Sequence, residues 1–227
     1  MDMLTAQAIQ AAGVSDWRKL AQRLHARFLV ASFADGLKFL TAIGETCAAA
    51  GTQPDVRVGT TFVDVALASP DAVYRDPDGV EYVFPSVTQR DVELARRISA
   101  IAGSHGVQAD PAGVVQLEIA IDTADPGKIG PFWAAVLTGS TDAMHGVDVG
   151  DATDRVPNLW FQRTDPHETP RQRFHLDLWL APEVARARIE AGLAAGGTIA
   201  YDAEAPAFTV LADPDGNKVC ICTSEGR

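Results

Sequence analysis

Two stretches of strict two-residue alternation do most to limit what this chain can fold into. Over residues 115–122 one side carries Val115, Leu117, Ile119 and Ile121, and the other carries Gln116, Glu118, Ala120 and Asp122. Over residues 173–180 one side carries Phe174, Leu176, Leu178 and Leu180, and the other carries Arg173, His175, Asp177 and Trp179. Successive side chains of a strand point to opposite faces, so each stretch is a strand with one side in a core. Each is followed by a helix that opens on a proline, 126–137 and 182–195, where the missing N–H is tolerated. Gly139 and Gly196-Gly197 stand just past the helix ends, as C-terminal caps do. The first helix leads to a weak strand near 144–149 and a strand at 158–163. The second leads to strands at 198–201, 208–212 and 218–223. The same βαβββ pattern thus occurs twice, with the apolar strand sides facing the two helices.

A different pattern fills the chain before this repeat. Ser15 or Asp16 can cap a helix to about residue 26, followed by a short strand at 28–31. Ser32 opens a longer helix, 33–50, with Phe33, Leu37, Leu40, Ile43 and Cys47 on one stripe. A strand is expected over 56–67. The turn Asp76-Pro77-Asp78-Gly79 brings a strand at 80–84 back, and Thr88 caps a helix over 91–102. Residues 103–113 are rich in breakers and read as a linker. The expected architecture is α+β, with one domain over 1–102 and a second over 114–227.

Length and charge fit that division. The chain has 227 residues, enough for two domains of ordinary size. Its formal net charge is −11 and its pI is about 4.8. A nucleic-acid backbone would be repelled, and so would an anionic membrane. The N-terminus lacks a basic segment followed by an apolar run, and nothing approaches a run of about 18 apolar residues, so neither a signal peptide nor a membrane span is expected. Cys47, Cys220 and Cys222 form no disulfide framework. They read as buried thiols of a reducing compartment, and a cytoplasmic location is expected.

Several spaced motifs in residues 4–102 resemble pterin-4a-carbinolamine dehydratases. Trp17 and Leu20 match a Trp-x-x-Leu pattern. Phe33, Gly36, Phe39 and Leu40 match Phe-x-x-(Ala/Gly)-x-x-Phe-Leu, and residues 87–95 match the helix Leu-Thr-x-x-Asp-x-x-Leu-Ala. An insertion near 70–84 departs from the family. So do the catalytic positions: the family's His-His-Pro reads Thr52-Gln53-Pro54 here, and its Thr-His falls at Ser69-Pro70. Dehydration of a carbinolamine needs groups that exchange protons near neutral pH, which histidine does and Thr52, Gln53 and Pro70 do not. His25 is placed on the first helix as a surface or packing residue. The resemblance implies an α/β sandwich, a scaffold or interaction role instead of dehydration, and a homodimer.

The polar faces of the repeat either meet water or line a cleft. Trp160 and Trp179 fall on these faces with Gln162, and exposed tryptophans are unusual outside a pocket or interface. The row Arg173, His175, Asp177 also has the composition of a site. Residues 114–224 resemble the glyoxalase-like branch of the vicinal oxygen chelate (VOC) family, through Asp125 with Phe132-Trp133, the run Arg173-x-His175-Leu176-Asp177-Leu178 and the turn Asp213-Pro214-Asp215-Gly216. That resemblance implies two βαβββ modules curled into a cup around a metal. Its four ligand positions fall at Glu118, Trp160, His175 and Cys220. Glu118, His175 and Cys220 are the implied ligands of a divalent ion (zinc, iron, nickel or manganese), with an open fourth position. Glu118 or Asp177 is then the base, and Trp160, Gln162, Arg173 and Trp179 contact a small molecule. The implied activities are a metal-dependent lyase, isomerase or dioxygenase. The alternatives are a metal-free cup that captures a small molecule without chemistry, and a residual pterin dehydratase. His105, His145 and His167 read as solvated, as do the carboxylates Asp148, Asp151 and Asp154. Residues 164–172 read as a link between the modules.

Overall fold

The computed structural model describes residues 1–50, 53–138, 140–151, 154, 156–166, 174–212 and 218–227. The chain forms two compact units, Met1–Val114 and Val115–Gly226.

In the first unit, Thr5 caps a short helix α1 (Ala6–Ala11) by accepting from the Ala8 N–H. The helix expected to run from Ser15 to residue 26 is instead a β-hairpin, β1 (Arg18–Leu20) and β2 (Arg23–Leu29). Leu24, Ala26 and Phe28 are almost fully buried and alternate with partly exposed Arg23, His25 and Arg27. The turn bends at Ala21, with φ of 48°. Helix α2 (Phe33–Ala50) has the expected bounds, but Phe33 and Leu37 lie outside the core at 51% and 44% exposure. The buried stripe is Gly36, Phe39, Ile43 and Cys47. A Cβ on Gly36 would press on Val58 and Val63 at 3.2 and 3.3 Å, so the bare glycine lets the helix seat on the sheet along that line.

The single strand expected over 56–67 is two, β3 (Asp55–Val58) and β4 (Phe62–Leu67), folded back where the Gly59 N–H donates to the Phe62 carbonyl. At Gly59 a Cβ would collide with the Phe62 ring. The insertion forms the hairpin β5 (Val73–Arg75) and β6 (Glu81–Val83) around the expected turn. Thr88 caps α3 (Gln89–Ser104) in a capping box with Asp91. Residues 108–109 form β7 (Gln108–Ala109), which pairs with β2. The sheet order is β1-β2-β4-β3. Its apolar side joins α2 and α3 in one continuous core around Phe28, Phe39, Ile43, Leu94 and Ile98.

The second unit is the βαβββ repeat. Its first module is β8 (Val115–Thr123), α4 (Pro126–Thr138), β9 (Met144–His145), β10 (Asp148–Val149) and β11 (Asn158–Arg163). The weak strand expected near 144–149 is thus a tight hairpin around Gly146. Its second module is β12 (Phe174–Leu180), α5 (Pro182–Ala194), β13 (Thr198–Tyr201), β14 (Phe208–Ala212) and β15 (Lys218–Cys222). One eight-stranded sheet results, ordered β13-β14-β15-β12-β8-β11-β10-β9. β8 and β12 run antiparallel at its centre, and each is flanked by the last strand of its own module in parallel. Among the described residues two separate small cores lie under the helices, Ile119, Ile121, Leu159 and Phe161 with α4, and Leu178, Leu180, Leu211 and Ile221 with α5. Phe174 and Leu176 share the apolar side of β12 but stay above 40% exposed. Gly139 and the turn at 213–216 lie outside the described residues. Among the described residues no helix is long and apolar enough to cross a membrane.

Candidate functional site

The polar side of the central strands is buried. Glu118 is 5% exposed and Asp177 is 7% exposed, although the apolar clusters occupy the opposite side. Burying a carboxylate is unfavourable unless partners compensate, so this side is not a solvated sheet face. Strand register arranges it in rows. Asn158, Glu118, Asp177 and Cys220 stand side by side across β11, β8, β12 and β15. In the next row Ala120 separates Trp160 from His175. The four positions marked by the VOC resemblance therefore lie in two adjacent rows of one face.

Hydrogen bonds cross between the two modules. The Trp179 indole N–H donates to Glu118 Oε2 at 2.8 Å, and the Trp160 indole N–H donates to Asp177 Oδ2 at 2.9 Å. Asn158 Nδ2 donates to Glu118 Oε1 at 3.0 Å and reaches Asp148 Oδ1 at 3.2 Å. Burial holds the Glu118 carboxyl above its ordinary value, with Asp148 and Asp177 adding repulsion, while the bonds from Trp179 and Asn158 oppose the rise. Burial likewise raises Asp148.

His175 sits between two carboxylates. Its Nε2 is 3.6 Å from Asp177 Oδ1 and its Nδ1 is 3.6 Å from Asp122 Oδ1. The Trp160 ring meets the imidazole edge-on, with centroids 5.5 Å apart. Asp122 Oδ1 is enclosed and has no hydrogen-bond partner among the described residues. Donor atoms of His175, Asp177 and Cys220 all come within 4.8 Å of one another. The structure thus brings His175 and Cys220 together as expected, but with Asp177 as the third donor; both Glu118 oxygens are taken by Trp179 and Asn158. Gln162 is exposed, one row beyond, opposite Asp122. Arg173 and His167 lie outside the described residues. Asp148, expected in a solvated turn, belongs to the site because β10 sets it opposite Trp160. Asn158 and the role of Asp122 were also missed; Asn158 opens β11 and Asp122 lies near the end of β8, and only register reveals them.

Among its described residues the first unit offers no comparable cluster of proton carriers. Gln53 and Pro70 are exposed where the resemblance places histidines, and Thr52 lies outside the described residues. Ser69, beside Pro70, is fully buried and donates to Asp91 Oδ2 at 2.7 Å. His25 is on strand β2, not on a helix; its Nε2 is enclosed without a hydrogen-bond partner among the described residues.

Residues 2–101 match the family of pterin 4 alpha carbinolamine dehydratases, and residues 118–222 match the glyoxalase-like domain family. The chain thus joins a dehydratase-like domain to a glyoxalase-like domain. Two solved structures align with the dehydratase domain. A transcriptional coactivator/pterin dehydratase from Brucella melitensis is 22% identical over 45% of this chain and 100% of its own, with a TM-score of 0.37. A pterin dehydratase-like protein identified as a RuBisCO assembly factor in the alpha-carboxysome is 23% identical over 38% of this chain and 89% of its own, with a TM-score of 0.28. No curated protein matches the chain. The glyoxalase-like domain places the second unit in the VOC superfamily, and its paired βαβββ modules are those observed above.

Proposed function

We propose that the glyoxalase-like domain is a small-molecule site that works with a divalent cation held by His175, Asp177 and Cys220. The supporting observation is the approach of these three donors to within 4.8 Å on a partly buried polar face. One nitrogen, one oxygen and one sulfur suit zinc, whose catalytic sites use three protein ligands and leave a fourth position open. A thiolate disfavours magnesium and calcium. When bound, such an ion acts as a Lewis acid on a substrate oxygen. The chain's own residues provide for proton transfer beside it. Glu118 keeps its proton nearer to neutral pH than a solvated carboxyl does, which suits a group that donates or takes a proton. Asn158 and Trp179 fix the direction of its two oxygens. The reading is therefore a lyase or isomerase whose central event is proton transfer next to a polarised oxygen. The dehydratase domain serves as scaffold, since its catalytic histidine positions hold Thr52, Gln53 and Pro70.

Metal content of the full, untagged chain, purified without chelators, tests this. Near-stoichiometric metal is expected, lost in His175→Ala and in Cys220→Ser. A wild-type chain that takes up none of zinc, iron, nickel or manganese would reject the site and leave metal-free capture of a small molecule as the function of the cup.

A further inference from the structure

The three donors of the proposed site all belong to the second module: His175 and Asp177 lie on β12, and Cys220 lies on β15. The first module holds the two equivalent positions, Glu118 and Trp160, yet supplies none of the three. Register shows the equivalence. Trp160 is the parallel neighbour of Ala120 as Cys220 is of Asp177, and the pair Glu118–Asp177 mirrors the pair His175–Ala120. What the first module offers instead is contact with the second module's donors. The Trp160 N–H takes Asp177 Oδ2, so that Oδ1, the oxygen facing His175 Nε2, is the one left for a cation. The same indole ring packs edge-on against the imidazole. Asp122 Oδ1, enclosed and without a hydrogen-bond partner among the described residues, faces the other imidazole nitrogen at 3.6 Å. A histidine that binds metal through one nitrogen normally donates from the other to such a carboxylate, which fixes its tautomer and orientation.

We propose that the first module has exchanged ligation for positioning: Trp160 aims Asp177 and Asp122 aims His175 at the cation. This rests on the metal site proposed above. Neither residue is one of the three converging donors, so both are positioning residues. A purely space-filling Trp160 would be replaced without consequence by phenylalanine, which keeps an aromatic ring and lacks the N–H. A purely electrostatic Asp122 would fail equally as asparagine or alanine, whereas an acceptor role is partly kept by the amide oxygen of asparagine.

The test is titration of the full chain with cobalt(II), read by its visible absorption bands and by competition with a chelator. Trp160→Phe and Asp122→Ala should each weaken binding about 10- to 100-fold without changing stoichiometry, and Asp122→Asn should fall between Asp122→Ala and wild type. The cobalt bands of Trp160→Phe should also shift, because a released carboxylate changes the ligand geometry. Circular dichroism of the metal-free variants checks folding; should Trp160→Phe fail to fold, the graded Asp122 pair carries the test. Wild-type affinity in Trp160→Phe and Asp122→Ala, to within about twofold, would overturn the proposal while leaving the metal site intact. A wild-type chain that binds no cobalt would overturn the metal site itself, and this inference with it.

Discussion

The two units bury polar side chains for different ends. In the dehydratase domain, Asp91 is fully buried at the start of α3. Its Oδ2 accepts from the Thr88 N–H at 2.7 Å, from the Thr88 hydroxyl at 2.9 Å and from Ser69 at 2.7 Å. Every one of those donors belongs to a helix cap or to the strand end beside it, so the network closes a fold. In the glyoxalase-like domain, Glu118 and Asp177 are buried mid-strand, where no cap requires them. Their indole partners come from the opposite module. Buried polarity that satisfies backbone ends is structural; buried polarity on the middle of a sheet face, facing donors from a second module, marks a site. The cores differ in the same sense. The first unit has one continuous core, whereas the second divides its apolar residues between two helices and leaves the polar face between its central strands for other use.

The largest effect expected from this contrast comes from the continuous core. Phe28 is fully buried and meets Trp17 and Phe39 edge-on, with centroids at 6.0 and 5.2 Å. Phe28→Ala should destabilise the first unit by about 3–5 kcal/mol. Denaturation followed by Trp17 emission, in a background where the other tryptophans are replaced by phenylalanine, would measure it. Cobalt binding by the same Phe28→Ala change in an otherwise wild-type chain should be untouched. A parallel loss of cobalt affinity would show that the two units unfold as one block and would break the comparison.

Helices α2 to α5 and the repeat were legible in the sequence because their signals are local, whereas the short α1 was not foreseen. Thr88 with Asp91, the prolines at 126 and 182, and the two alternating strands each state their own structure within a few residues. The first hairpin was not legible. Trp17, Leu20, Leu24 and Phe28 recur at helical spacing, Ser15 and Asp16 look like caps, and the turn uses Ala21, which carries no turn signal in its side chain. The long strand over 56–67 hid its reversal because the break is one glycine, Gly59, between strand-forming Val58 and Thr60-Thr61. At the site, alternation disclosed the face and the resemblance disclosed four positions. Neither disclosed which oxygen of which carboxylate is engaged. Glu118 reaches Trp179 and Asn158, and the shorter Asp177 stays beside His175 and Cys220; that is settled by side-chain length and register across four strands. Asp148 and Asn158 joined the site for the same reason.

The next expected effect is a pH dependence of opposite sign in the two units. Burial, reinforced by Arg23, pushes the His25 imidazole down from 6.5 to about 4. The folded first unit therefore binds fewer protons than the unfolded chain between these values. Its stability is complete above pH 6.5 and falls as pH drops towards 4, by about 3 kcal/mol. His25→Asn should flatten that slope in denaturant titrations from pH 7 to pH 4. An unchanged slope would mean that other groups carry the acid sensitivity of this unit. In the second unit Glu118 and Asp148 are both raised, so the folded form holds protons that the unfolded chain releases. Its stability is greatest below the ordinary carboxyl value and declines as pH rises through the raised ones.

The smallest effect isolates Glu118 within that second slope. Glu118→Gln removes the charge that burial disfavours, but it also replaces a two-oxygen acceptor by one oxygen and one amide. One of the two donors, Trp179 or Asn158, then loses its partner. The gain from removing the charge and the loss of one bond oppose each other, so the net change at neutral pH should stay within about 1 kcal/mol. The informative quantity is the slope. From pH 5 to pH 8, denaturation of the metal-free chain should show the second unit of Glu118→Gln losing less stability than wild type, with the remainder assigned to Asp148. Parallel curves would place the Glu118 proton at its ordinary value, and that would remove Glu118 as the proton carrier without touching His175, Asp177 or Cys220. A flattened curve together with unchanged cobalt affinity would separate the two roles on this face: proton storage at Glu118 in the first module, and ligation in the second.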